Sequence, residues 1–136
     1  MRVLPIIILF VVAAIQKSYS QTSDYSGIEK TVSYYLEGGT NNDFETLKKA
    51  FHENATMKFI RNGEYKEVKV IPYFKKAMRP GPKQDRITKI SRIDISGNAA
   101  NAKIELIYGT KIYVDYMNLI KINGTWKIVG KIYSKK

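Results

Sequence analysis

Hydrophobic positions recur at two spacings along this chain, and the spacing changes once. Ile28, Val32, Tyr35 and Leu36 fall on one stripe of a helix. Ser26 and Glu29 have capping-box spacing and predict its start, and Gly38-Gly39 predicts its end. Asn42 and Glu45 repeat the capping pattern ahead of Phe44, Leu47, Ala50 and Phe51, a second predicted helix. Ala55 to Ile60 reads as a short strand, with Asn62-Gly63 as a hairpin turn. A third helix is predicted around Pro72, presenting Tyr73, Phe74, Ala77 and Met78. Arg79-Pro80-Gly81-Pro82 then interrupts regular structure.

From there the period is two. Arg86–Ser96, Ala99–Tyr108, Lys111–Ile122 and Thr125–Tyr133 alternate as strands. They are separated by Gly97-Asn98, Gly109-Thr110 and Asn123-Gly124, each suited to a two-residue hairpin. Helices followed by an antiparallel meander make an α+β domain.

Two-residue turns fix register, and register fixes which side chains share a face. The last turn pairs Leu119 with Ile128, Met117 with Gly130 and Asp115 with Ile132. The middle turn pairs Leu106 with Tyr113 and Ile104 with Asp115, and the first pairs Ile93 with Ala102. The three agree on one apolar inner face in which Asp115 is the sole acid. The other face, with Lys103, Glu105, Val114, Tyr116, Ile120, Lys127 and Lys131, mixes polar and apolar groups, as a half-buried interface would. It predicts a homodimer through the outer sheet face. Ile87, Ile90 and Ile93 break the alternation. A β-bulge between Ile90 and Ile93 restores it and bends the sheet, leaving a concave side for the helices.

Composition then bounds the setting. The 136 residues suit one domain. Val3 to Ile15 is almost wholly apolar, follows Arg2, and leads to small residues at Ser18 and Ser20. This fits a signal peptide over residues 1–20, cut before Gln21, and a single domain over 21–136 that is secreted or periplasmic. At about 13 residues the run is short for a membrane span, so no stable membrane insertion is expected after cleavage. There is no cysteine, which excludes disulfides, thiol chemistry and thiolate metal sites. The net charge is +11, but 18 lysines against 5 arginines, scattered along every segment, read as a solvated surface rather than a nucleic-acid site. No phosphate loop, nucleophile elbow or zinc motif occurs, and no cofactor is expected. The sequons Asn54-Ala55-Thr56 and Asn123-Gly124-Thr125 matter only in a glycosylating source.

An ordered set of residues carries a family likeness. It runs from Tyr35-Leu36-Glu37-Gly38 with Asp43 through Ala50-Phe51-His52 with Ala55. It continues with Arg86, Ile93-Asp94-Ile95, Gly97-Asn98-Ala99-Ala100 and Ala102-Lys103. It closes with Asp115-Tyr116, Leu119, Gly124, Trp126-Lys127-Ile128-Val129 and Lys131. With these the chain resembles the nuclear-transport-factor-2-like (NTF2-like) superfamily, nearest the group labelled lumazine-binding proteins. The resemblance covers nearly all of Ser23 to Tyr133. It implies a cone-shaped, cystatin-like arrangement, with N-terminal helices packed in the concave side of a strongly bent antiparallel sheet. It also implies a small heteroaromatic ligand. It does not fix function, because this fold hosts enzymes, binding modules and assembly domains.

The candidate chemistry centres on Asp115. Among isoleucine and leucine its carboxylate is costly to ionise without partners. It reads either as a general base or ligand anchor, or as a structural aspartate bonded to a buried tyrosine or a backbone amide. His52, the only histidine, is placed at the end of the second helix, as an acid–base partner or as a helix cap. Tyr35, Tyr73, Tyr113 and Trp126 could stack on a flat ligand or simply pack the core, and Met117 could join them or fill a gap. Three functions stay open: an exported small-molecule binder, an isomerase- or dehydratase-type enzyme with Asp115 as base and a tyrosine or His52 as proton donor, and an interaction domain whose cavity is filled.

Overall fold

The computed structural model describes the backbone of residues 4–136 and the side chains of residues 15–16 and 19–136. The expected leader begins outside the described residues. The element order is α1 Leu4–Thr40, α2 Phe44–Lys48, β1 Phe51–Arg61, β2 Glu64–Lys69, α3 Val70–Ala77, β3 Ile87–Ser96, β4 Ala99–Tyr108, β5 Lys111–Ile122 and β6 Thr125–Lys135. The strands form one curled, unclosed sheet in the order β2-β1-β6-β5-β4-β3. All pairings are antiparallel except β1 with β6. No helix among the described residues is long and apolar enough to cross a membrane.

The expected stripe of α1 is buried, with Ile28 and Val32 fully enclosed. They pack with Leu47 of α2 and with Ile104, Leu119 and Ile128 of the sheet's inner face. The helix does not open at Ser26. It runs through that position, because after Pro5 the chain has no proline or glycine before Gly27 to interrupt it.

Nor do Gly38 and Gly39 stop α1. Asn42 stops it, taking the left-handed conformation at φ 55°. The amide of Asp43 donates to Gly38 O at 2.8 Å and that of Asn42 to Gly39 O at 3.4 Å, which is a Schellman closure. The glycine pair instead permits close approach. A Cβ on Gly38 would sit on the backbone nitrogen of Leu47, and one on Gly39 would lie 2.5 Å from Arg86 Nη2.

With Asn42 ending α1, Asp43 rather than Asn42 caps α2. Its carboxylate accepts from Thr46 N at 3.1 Å and Thr46 Oγ1 at 2.6 Å. The second helix is only five residues long, because Ala50 is already drawn to the sheet, its carbonyl accepting from Ile128 N at 2.9 Å. Phe51 and His52 therefore open β1 instead of ending a helix.

All four predicted hairpins close: Arg61 opposite Glu64, Ser96 opposite Ala99, Tyr108 opposite Lys111, and Ile122 opposite Thr125. The expected bulge in β3 is present, with the register shifting between Ile90 and Arg92. A second, unpredicted bulge lies in β6. Leu119 faces Ile128 as expected, but Asn118 faces Gly130, so Val129 has no partner. Beyond it the alternation inverts. Met117 faces Lys131 instead of Gly130, and Asp115 faces Tyr133 instead of Ile132. Lys131 is thereby turned inward and buried, while Ile132 is turned out and 52% exposed.

Candidate functional site

The β6 bulge builds the floor of the site. It brings an ammonium to the lone carboxylate of the inner face. Lys131 Nζ lies 3.4 Å from Asp115 Oδ1, with Asp115 1% and Lys131 6% exposed. The other carboxylate oxygen, Oδ2, accepts from the buried Tyr35 hydroxyl at 2.6 Å. Both oxygens of Asp115 are thus engaged, as a buried charge requires. Lys131 Nζ also stands 4.3 Å over the Tyr133 ring and 5.7 Å from the centre of Tyr35, and donates to Met57 Sδ at 3.5 Å.

This burial governs the protons. Desolvation pulls the Lys131 ammonium below its ordinary value, and the Asp115 charge opposes that pull. Desolvation and the adjacent Asp115 both push the Tyr35 hydroxyl well above its ordinary value. Tyr35 therefore holds its proton as a fixed donor to Asp115.

Over this floor stands a cavity of about 460 Å³, within the roughly 300–1,000 Å³ range of small-molecule sites. Its walls are aromatic: Tyr35 from α1, Tyr73 and Phe74 from α3, Tyr108 from β4, Tyr113 from β5 and Tyr133 from β6. The rings brace one another. Tyr108 and Tyr113 meet edge to face at 5.9 Å, and Tyr73 and Phe74 at 5.5 Å.

One side of the cavity is polar. Arg86 donates to Tyr108 Oη at 2.7 Å, Leu36 O at 3.0 Å and Thr40 Oγ1 at 2.8 Å. Gln84 accepts from Tyr108 Oη at 3.2 Å and donates to Gly39 O at 2.7 Å.

Four of the seven sequence candidates meet here: Asp115, Tyr35, Tyr73 and Tyr113. Three do not. His52 lies on β1, where its Nδ1 accepts from Asn54 N at 3.1 Å, and it does not line the cavity. Met117 is sealed in the core at 0% exposure. Trp126 belongs to a clasp on α1. Its indole donates to Asp24 at 3.2 Å, its carbonyl accepts from Thr31 Oγ1 at 2.8 Å, and Lys121 pairs with Asp24 at 2.6 Å. That hydrogen-bonded ion pair holds Asp24 below the usual carboxylate range.

Sequence reasoning missed Lys131, Tyr133, Arg86, Tyr108 and Gln84. One signal was present for the first two: Gly130 interrupts an otherwise regular strand, where a lone glycine often marks a bulge. No cluster of three or more metal-ligating side chains occurs among the described residues.

Comparison with known proteins agrees with this architecture. A family model described as "Putative lumazine-binding" matches residues 23–134. An NTF2-like protein of unknown function from Shewanella baltica superposes with a TM-score of 0.75 at 29% identity, covering 85% of this chain and 95% of that one. A second, from Methylobacillus flagellatus, gives 0.73 at 25% identity, over 83% and 92%. A protein from Erwinia carotovora named ketosteroid isomerase-like shares the fold, with a TM-score of 0.64 at 14% identity over 81% and 94%. No curated protein matches the sequence.

Proposed function

Because the chain belongs to the lumazine-binding family of the NTF2-like superfamily, we propose that it is an exported small-molecule-binding domain that takes a flat heteroaromatic compound in the sheet–helix cavity. The observation that carries this reading is the cavity itself: five aromatic side chains stand around a floor of Asp115, Lys131 and Tyr35, itself a sixth ring. Flat rings stack well on such walls. A ring bearing donors and acceptors meets both signs of polar group on the floor and an amide at Gln84. Export rests on the apolar run after Arg2 and the small residues before Gln21.

Binding is favoured over isomerase- or dehydratase-type catalysis by the state of Asp115. Both of its oxygens are taken, by Lys131 and by Tyr35, and His52, expected with the tyrosines as a proton donor, stands apart. The filled-cavity alternative conflicts with the open volume.

The test is a thermal-shift screen of residues 21–136 against small aromatic compounds, lumazine among them. A ligand at 100 times its Kd stabilises by about 2.7 kcal/mol. A saturable rise in Tm with lumazine or a related bicycle supports the reading. No shift with any such compound overturns it. Turnover of a bound ligand that is lost in Asp115→Asn would establish the enzyme instead.

A homodimer through the outer sheet face is part of the same proposal. Tyr116 and Ile120 of β5 and Ile132 of β6 are exposed hydrophobics there, and the bulge is what adds Ile132. Light scattering that shows only monomer removes it.

A further inference from the structure

Four charged side chains line the cavity: Asp115, Lys131, Arg86 and Lys111. The first two pair with each other. Neither Arg86 nor Lys111 has a carboxylate partner among the described residues. The lining therefore carries two cations more than its anions balance.

The Arg86 position is built, not incidental. Its guanidinium is held by three neutral acceptors: Tyr108 Oη, Leu36 O and Thr40 Oγ1. Space for it exists only because residue 39 is glycine, since a Cβ there would lie 2.5 Å from Nη2. Two of its contacts are to the end of α1, and a helix C-terminus favours a cation there. That terminus supplies the equivalent of about half a negative charge, which leaves the guanidinium short of balance. Three of its five N–H groups are used, so each terminal nitrogen keeps one to donate. Its charge is felt at the floor, where it opposes protonation of Lys131.

We infer that the ligand is anionic, a flat heteroaromatic acid whose carboxylate is received by Arg86 with Lys111 beside it while its ring lies against the cavity tyrosines. This rests on the binding reading above and narrows it to a chemical class. The acid completes what the protein leaves open: a charge-assisted, two-pronged acceptor for the free guanidinium N–H groups.

The experiment compares lumazine-6-carboxylate with its isosteric carboxamide by fluorescence titration of the wild-type chain at low and high salt. The acid should bind about tenfold or more tightly than the amide, with its advantage shrinking as salt rises. In Arg86→Gln that advantage should vanish, with circular dichroism showing that the variant is folded. Arg86→Lys should retain part of it.

Equal affinity of acid and amide in the wild type would overturn the inference and leave the binding reading standing. Binding of neither would overturn both. A preference that survives Arg86→Gln would overturn the assignment to Arg86. Should that variant not fold, the wild-type ratio and its salt dependence decide, together with Lys111→Gln, in which the preference should weaken.

Discussion

Replacing Lys131 by methionine leaves Asp115 buried with no cation beside it. At 3.4 Å and an effective dielectric of about 20, the pair attracts by about 5 kcal/mol. Desolvation of both charges consumes much of that, so the pair adds little net stability, yet breaking it by removing one partner costs about 3–5 kcal/mol. Lys131→Met and Asp115→Asn should each fall in that range. In Asp115→Asn the Tyr35 hydroxyl keeps an acceptor, and the loss comes from the stranded ammonium. The double variant strands neither charge and should cost only about 1 kcal/mol. The two changes are therefore strongly non-additive, with a coupling of several kcal/mol. Urea denaturation of the wild type and the three variants reads this directly. A loss of about 3 kcal/mol moves the midpoint by roughly 1–3 M with an unchanged slope. Single variants that each lose under about 1 kcal/mol, with the double variant at their sum, would refute the burial and pairing of these two groups.

Three further outcomes follow from the same structure. Tyr35→Phe should lose about 1.5–3 kcal/mol at neutral pH, the worth of a hydrogen bond to a charged group. The folded protein keeps the Tyr35 proton above the ordinary value of 10.0 while the unfolded chain releases it, so this contribution is whole below pH 10 and shrinks as pH rises beyond it; urea midpoints across that range should show the gap between wild type and variant narrowing. Gly38→Ala should destabilise by more than about 3 kcal/mol despite alanine's better helix propensity, because its methyl meets the backbone of Leu47, which cannot rotate aside; a melting curve close to wild type would contradict that packing. Met117→Ala should lose about 2–5 kcal/mol as a core cavity yet leave the affinity for lumazine unchanged in the folded fraction, as measured by titration below the melting range.

Much of the fold was legible because its signals are local. Turn pairs such as Asn123-Gly124 set hairpin registers, and the spacing of Ile87, Ile90 and Ile93 betrayed the β3 bulge. The stripe from Ile28 to Leu36 identified the packed face of α1. Signals with two uses misled. Gly38-Gly39 reads as a helix stop, but serves close approach to Leu47 and Arg86, and Asn42 makes the turn. The parallel pairing of β1 with β6 joins segments far apart in sequence, and no local pattern encodes it.

The site was half legible for the same reason. Asp115 lies three hairpin steps deep in a regular ladder and could be placed by counting. Lys131 lies beyond a bulge, and one unpaired residue reverses every facing after it. Strict alternation sends Lys131 to solvent and Ile132 to the core, the reverse of what is found. Gln84 and Arg86 lie in the irregular segment between α3 and β3, just before the strand that was expected to begin at Arg86, and periodicity carries no information about direction there.

On the proposed function, a flat compound occupies the cavity above Asp115 and Lys131. A crystal structure of the chain with lumazine tests it most directly. The bicycle should lie inside the cavity, its ring against Tyr108 or Tyr113 and a polar edge within hydrogen-bond distance of the Asp115–Lys131–Tyr35 floor or of Arg86. A cavity without ligand at saturating lumazine, or lumazine bound only at the outer sheet face, would contradict it.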